Sequence, residues 1–128
     1  MNILFIDDDQ TLHQTIGGFL KKQGYTVFSA FTAEQAINIF IEKDIDLTIT
    51  DIVLPDFDGI RILKAIKDVY PNAEVIVITG YCEMKNARSA KHYGAFEYLL
   101  KPIDLNELLT TIESTKVYEK KFSRGNKE

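Results

Sequence analysis

Tryptophan is absent and cysteine occurs once, as Cys82, in a chain of 128 residues. A single thiol closes no internal disulfide and builds no multi-cysteine metal cluster. That usage suits a reducing compartment, and a cytoplasmic location is the expectation. No apolar run approaches the roughly 20 residues of a membrane-spanning helix. The apolar start at residues 1–6 meets Asp7 at once, too soon for the core and cleavage site of a signal peptide. An excess of basic charge is also lacking. Fifteen Lys and Arg face nineteen Asp and Glu, a net charge of −4, so the chain carries no electrostatic footprint for nucleic acid. Any DNA contact would belong to another domain or a partner. There is no low-complexity linker, and no sequence repeat beyond the alternation described next.

What is present is an ordinary globular composition, 45% apolar and 27% charged, in a length that buries one core without staples. Short apolar runs at 3–6, 25–29, 46–50, 74–78 and 96–100 alternate with segments of helical period. The first helix is expected over 10–23 with Leu12, Ile16, Phe19 and Leu20 inward, closed by Gly24. The second begins at Thr32, with Gln35 at capping-box spacing, and is expected to bury Ala36, Ile37, Phe40 and Ile41. The third carries Ile62, Leu63 and Ile66 and is broken by Pro71 and Asn72. A weaker fourth runs over about 84–93 to Gly94. Asp104 and Glu107 open a fifth with Leu105, Leu108, Leu109 and Ile112.

Five strand–helix units with short links predict an α/β fold, a single doubly wound five-stranded parallel sheet. The strands are apolar nearly throughout, as burial on both faces requires. Right-handed crossovers bring all five carboxyl ends to one edge, where a ligand site belongs. Just past the strands stand Asp7, Asp8 and Asp9, then Asp51, then Thr79 and Gly80, then Lys101 and Pro102. Strands one, three, four and five neighbour one another in a flavodoxin-like 2-1-3-4-5 order, so these groups should converge. Clustered carboxylates repel unless cations accompany them. Mg²⁺, which takes one or two carboxylates plus waters and phosphate oxygens, supplies that charge, and Lys101 adds an ammonium. One carboxylate is then able to attack phosphorus while the Thr79 hydroxyl donates to a phosphoryl oxygen.

Over about residues 2–118 the chain resembles the receiver domain of two-component response regulators. The stretches that carry the likeness are 3–9 (ILFIDDD), 50–59 (TDIVLPDFDG), 75–80 (VIVITG) and 94–102 (GAFEYLLKP). In order, at these strand ends, they are specific; the third and fourth are most like receivers of NtrC-type activators. The resemblance implies that Asp51 is the phosphoacceptor and that Asp7, Asp8, Asp51 and the Val53 carbonyl hold Mg²⁺. It implies that Thr79 and Lys101 contact the phosphoryl group, that Thr79 and Tyr98 form the switch, and that the Lys101–Pro102 bond is cis. Such a protein is a signalling switch, not an enzyme beyond its own phosphotransfer. It takes phosphate from a sensor histidine kinase or phosphotransfer protein, which meets the first helix around Thr11, Gln14, Thr15 and Gly18. Its helix 4–strand 5–helix 5 surface then controls a downstream effector or attached output domain, or a homodimer formed on phosphorylation. No membrane contact is implied. Residues 1–119 would be the receiver and 120–128 a polar tail or linker start.

Other readings accompany these. Asp7-Asp8-Asp9-Gln10-Thr11 also fits the D-x-D-x-T motif of haloacid-dehalogenase-like phosphatases, with Asp7 as nucleophile and Asp9 as general acid. That alternative lacks a later acidic pair and leaves Asp51 without a role. Asp9 is expected to cap the first helix, and Asp56 and Asp58 to serve the turn before the third. His13 and His92 are expected at the surface, and Cys82 to be inert. Gly17-Gly18 inside the first helix costs about 2 kcal/mol relative to alanines, for which close packing against the sheet or a partner is the account expected. In receivers the positions of Val53 and Tyr81 face the route of a hydrolytic water; Val53 offers no polar side chain to orient it, hence slow autodephosphorylation is expected.

Overall fold

A computed structural model describes residues 1–56, 58–80 and 90–120. Its five strands are β1 (Asn2–Ile6), β2 (Thr26–Ala30), β3 (Leu47–Asp51), β4 (Glu74–Thr79) and β5 (Glu97–Leu100). All four pairings are parallel, in the order β2-β1-β3-β4-β5. The helices are α1 (Gln10–Lys22), α2 (Ala33–Glu42), α3 (Gly59–Val69), α4 (described only at residues 90–92), α5 (Leu105–Glu113) and a short α6 (Lys116–Tyr118). Most of the expected helix over 84–93, with Cys82 and Tyr81, lies outside the described residues, as does the tail from 121 onward.

The alternation of side chains along each strand decides how the two faces are sealed. Ile3, Phe5, Leu47, Ile49, Ile76 and Ile78 point to one side and pack with Ile16 and Leu20 of α1 and Leu108 and Ile112 of α5. Leu4, Ile6, Val75 and Val77 point to the other and pack with Ala33 and Ala36 of α2 and Ile62, Leu63 and Ile66 of α3. Caps fix where the helices start. The Asp9 carboxylate accepts from the N–H groups of Thr11 and Leu12, Thr32 from Gln35, Asp58 from Ile60, and Asp104 from Asn106 and Glu107. These bonds satisfy donors that the first helical turn leaves unmatched. Gly24 and Gly94 follow helices at φ of 94° and 103°, where a β-carbon would be strained.

Three expectations need correction. Along α2, Ala36 is buried, but Ile37 and Ile41 are 46% and 72% exposed. Apolar residues occupy 36, 37, 39, 40 and 41, so helical period alone does not select a face; the sheet takes the Ala33–Ala36 stripe with Ile39 and Phe40 partly packed against it. Strand two begins at Thr26, not Tyr25, because Tyr25 still donates its N–H to the Leu20 carbonyl at the end of α1. The fifth helix carries the expected residues, and beyond its end Thr115 is buried, its hydroxyl donates to the Ile112 carbonyl, and α6 follows. Finally, a β-carbon built at Gly17 or Gly18 would meet nothing within 4 Å among the described residues, so packing on the sheet does not explain that pair.

Candidate functional site

The site is assembled by strand register. β1 ends at Ile6, so Asp7 emerges at the carboxyl edge, its N–H still donating to the Ala30 carbonyl of β2 at 3.1 Å. Asp51 is the last residue of β3 and pairs with Ile78 of β4. Thr79 closes β4, is fully buried, and pairs with Leu100 of β5. Lys101 follows immediately, with its N–H donating to the Thr79 carbonyl at 2.7 Å, and the Lys101–Pro102 bond is cis as expected. Four separate stretches of chain are thereby brought to one place.

Lys101 is the hub. Its Nζ lies 2.9 Å from Asp51 Oδ2 and 3.1 Å from Asp7 Oδ2. The first contact is a hydrogen bond; the second is an ion pair without hydrogen-bond alignment, and Asp7 Oδ2 has no donor of its own among the described residues. Asp7 is 0% exposed. Its Oδ1 accepts from the Asp9 N–H at 2.8 Å. Burial nonetheless pushes the Asp7 carboxyl above the usual aspartate range, the Asp51 charge adding to the rise while the Asp9 N–H and Lys101 oppose it. For Lys101, burial pulls the ammonium down, but the Asp51 and Asp7 carboxylates outweigh it and hold it above the ordinary lysine value. One lysine therefore does not neutralise the pocket.

Carboxylate oxygens of Asp7, Asp8 and Asp51 all lie within 4.8 Å of one another. Asp8 is exposed and the other two are buried, which leaves an open side. A hard divalent ion fits such an all-oxygen set with room for waters, and Asp7 Oδ2, ion-paired to Lys101 but without a hydrogen bond among the described residues, is an oxygen it would satisfy. Val53 is anchored beside the same group, its N–H donating to Asp51 Oδ1 at 3.3 Å. The loop that carries it folds back through an isolated Val53–Asp58 bridge. Gly59 lets α3 begin against this loop: its N–H donates to the Ile52 carbonyl at 2.6 Å, and a β-carbon there would overlap the Asp51 carbonyl oxygen. Tyr98 is half-buried on β5, two residues before Leu100, and packs against the α2/α3 side of the core.

Asp7, Asp8, Asp51 and Lys101 are thus brought together, with Thr79 at the adjoining strand end. Asp9 is not part of the cluster: its carboxylate is spent on the α1 cap, which removes the general acid of the dehalogenase-like alternative. Asp58 caps α3 as expected, while Asp56 reaches across to α2, accepting from the Ala33 N–H at 2.9 Å and the Glu34 N–H at 3.2 Å. His92 is exposed, but His13 is not; it is 8% exposed and bonded to the Asp7 carbonyl. Its position at i+6 from Asp7, on the sheet-facing side of α1 one turn before Ile16, was the available signal.

Comparison with known proteins agrees with this geometry. The family model for the response regulator receiver domain matches residues 3–113. The chain is 32% identical over 111 residues to sporulation initiation phosphotransferase F of Bacillus subtilis, covering 87% of this chain and 90% of that protein. It is 32% identical over 112 residues to the DNA-binding transcriptional regulator NtrC of Proteus hauseri, covering 88% of this chain but 24% of that one. The chain thus spans about a quarter of such regulators. A crystal structure of a response regulator receiver domain protein from Clostridium thermocellum superposes with a TM-score of 0.86 at 37% identity, covering 94% of this chain and 95% of that one. No helix among the described residues is long and apolar enough to cross a membrane.

Proposed function

The chain belongs to the response regulator receiver family, and on that premise we propose that it is a phosphorylation switch in which Asp51 accepts a phosphoryl group. The observation that carries this reading is the 2.9 Å contact between Lys101 and Asp51 beside two further carboxylates. Asp7, Asp8, Asp51 and the Val53 carbonyl would hold Mg²⁺. When bound, that ion supplies positive charge to phosphoryl oxygens and to the crowded carboxylates. The chain's own residues do the rest. Lys101, already set between Asp7 and Asp51, offers its ammonium to a phosphoryl oxygen, and the Thr79 hydroxyl offers a hydrogen bond from the end of β4. A carboxylate oxygen of Asp51 forms the new O–P bond as the N–P bond of a phosphohistidine breaks, and the imidazole leaves with its electron pair and takes up a proton. Little else is required of a protein for such a transfer.

The donor is a sensor histidine kinase or a phosphotransfer protein. Once phosphate occupies the site, Thr79 is drawn toward it and Tyr98 turns inward, which favours one of two pre-existing arrangements of the α4–β5–α5 surface. That surface engages a downstream effector or an attached output domain, and a homodimer formed on phosphorylation is one form of that output. The setting is cytoplasmic. The test is incubation with acetyl phosphate and Mg²⁺, followed by intact mass and mapping of the modified residue. One phosphoryl group on Asp51, lost in Asp51→Asn and on chelation of the metal, is expected. Modification of Asp7 instead would overturn the assignment.

A further inference from the structure

His13 has a partner that its surroundings make consequential. Its ring lies between Phe5 of β1 and Phe31, with centroid separations of 4.7 and 4.1 Å. Its Nε2 is 2.7 Å from the Asp7 carbonyl oxygen. A carbonyl only accepts, so the proton of the neutral ring must sit on Nε2. Nδ1 is then a bare acceptor, and it is buried with no donor among the described residues. A phenylalanine or leucine would fill an apolar slot between two aromatic rings without leaving that nitrogen unmatched. Packing by itself therefore disfavours histidine here, and the bond to Asp7 is what the side chain adds.

That bond grips the residue from which the acidic pocket hangs. The Asp7 peptide is held at its N–H by Ala30, at its Oδ1 by the Asp9 N–H, and at its carbonyl by His13. The carbonyl contact acts directly on rotation about the Asp7 Cα–C bond, which the Asp9 N–H bond to Oδ1 also spans, and this rotation aims Asp8, the next residue. Like charges at Asp7, Asp8 and Asp51 push that peptide to turn away from the cluster. We propose that His13 is a positioning residue for the metal-binding pair: its Nε2–H clamps the Asp7 carbonyl and keeps the Asp7 and Asp8 carboxylates converged on Asp51. The inference rests on the receiver reading above.

Magnesium binding by the isolated protein, measured calorimetrically without phosphodonor, tests it alongside thermal melting. His13→Phe keeps the aromatic stack and removes the donor; its dissociation constant for Mg²⁺ is expected to rise about tenfold, the low end of what outer-shell partners of metal ligands contribute, with the melting temperature unchanged or higher. His13→Gln, whose amide nitrogen reaches about as far as Nε2, is expected to restore most of the affinity. Equal Mg²⁺ affinity in wild type and His13→Phe would overturn the clamp and leave the proposed function standing. A wild type that binds no Mg²⁺ would overturn both. Nitrogen NMR of the unmutated protein gives a check that needs no variant: the neutral ring should carry its proton on Nε2, and a proton on Nδ1 instead would overturn the clamp.

Discussion

The middle of the sheet and its carboxyl edge are built from the same five strands on opposite principles. In the middle, Ile3, Phe5, Ile49 and Ile76 are completely buried within one apolar cluster on their face. At the edge, a few ångströms further along the same strands, Asp7 and Asp51 are nearly as buried yet carry like charge around one lysine. The first region is stable by hydrophobic burial. The second holds buried atoms without a hydrogen bond among the described residues, Asp7 Oδ2 and His13 Nδ1, that cost stability beside a site where charge would be used. Substitutions should therefore have opposite signs in the two regions.

The largest effect is expected in the middle. Ile76→Ala should lose about 2–5 kcal/mol of unfolding free energy, the usual range for a buried large-to-small change, seen as a lower urea midpoint, while phosphoryl uptake persists wherever the protein remains folded. At the edge, Asp7→Asn should raise the melting temperature by several degrees in metal-free buffer and remove Mg²⁺ binding; a lower melting temperature would show that the Asp7–Lys101 pair is a net stabiliser. The pH dependence has the same origin. Burial raises the folded carboxyl of Asp7, so the folded state holds this proton more tightly than the unfolded chain. Its penalty is absent below the ordinary aspartate value, grows as pH rises to the raised value, and is complete above it. Urea midpoints measured across that window should fall with rising pH in the wild type and less steeply in Asp7→Asn.

Two smaller effects sharpen the contrast. Val53 is 52% exposed beside the phosphoacceptor and has no polar side chain to orient water. Val53→Asn should shorten the phosphate lifetime several-fold in single-turnover decay, with no change in melting temperature; an unchanged or longer lifetime would remove Val53 from that role. In α1, Gly18→Ala should add about 1 kcal/mol of stability, the helix-propensity difference, because a β-carbon there meets no neighbour. A change in phosphotransfer from a kinase, with acetyl phosphate uptake unaltered, would place that position at a partner surface.

How much of this was legible beforehand depended on the kind of signal. The strands were plain because runs such as EVIVI at 74–78 are too short and too β-branched for a helix, while their 2-1-3-4-5 order was the one expected of a flavodoxin-like sheet. The acidic and basic residues at the strand ends could be named because each directly follows an apolar run. The buried face of α2 could not be read, because five apolar residues in a six-residue stretch satisfy several helical faces at once. For His13 the phase of α1, one turn before Ile16, points to the sheet, but nothing local in the sequence names its neighbours Phe5 and Phe31 or its bond to the Asp7 carbonyl.

Composition and periodicity alone determined that the chain forms a parallel sheet covered on both faces and that its charged residues gather at one edge. These are consequences of local pattern and chain handedness, which operate over a few residues or one crossover. Tertiary structure decided which charges touch, which remain unmatched, and what grips them. Lys101 reaches both Asp7 and Asp51 only because β1, β3, β4 and β5 fall in register, and His13 meets the Asp7 carbonyl only when α1 packs on β1 between Phe5 and Phe31. Such contacts depend on distances between residues far apart in the chain, and one-dimensional pattern carries no information about them.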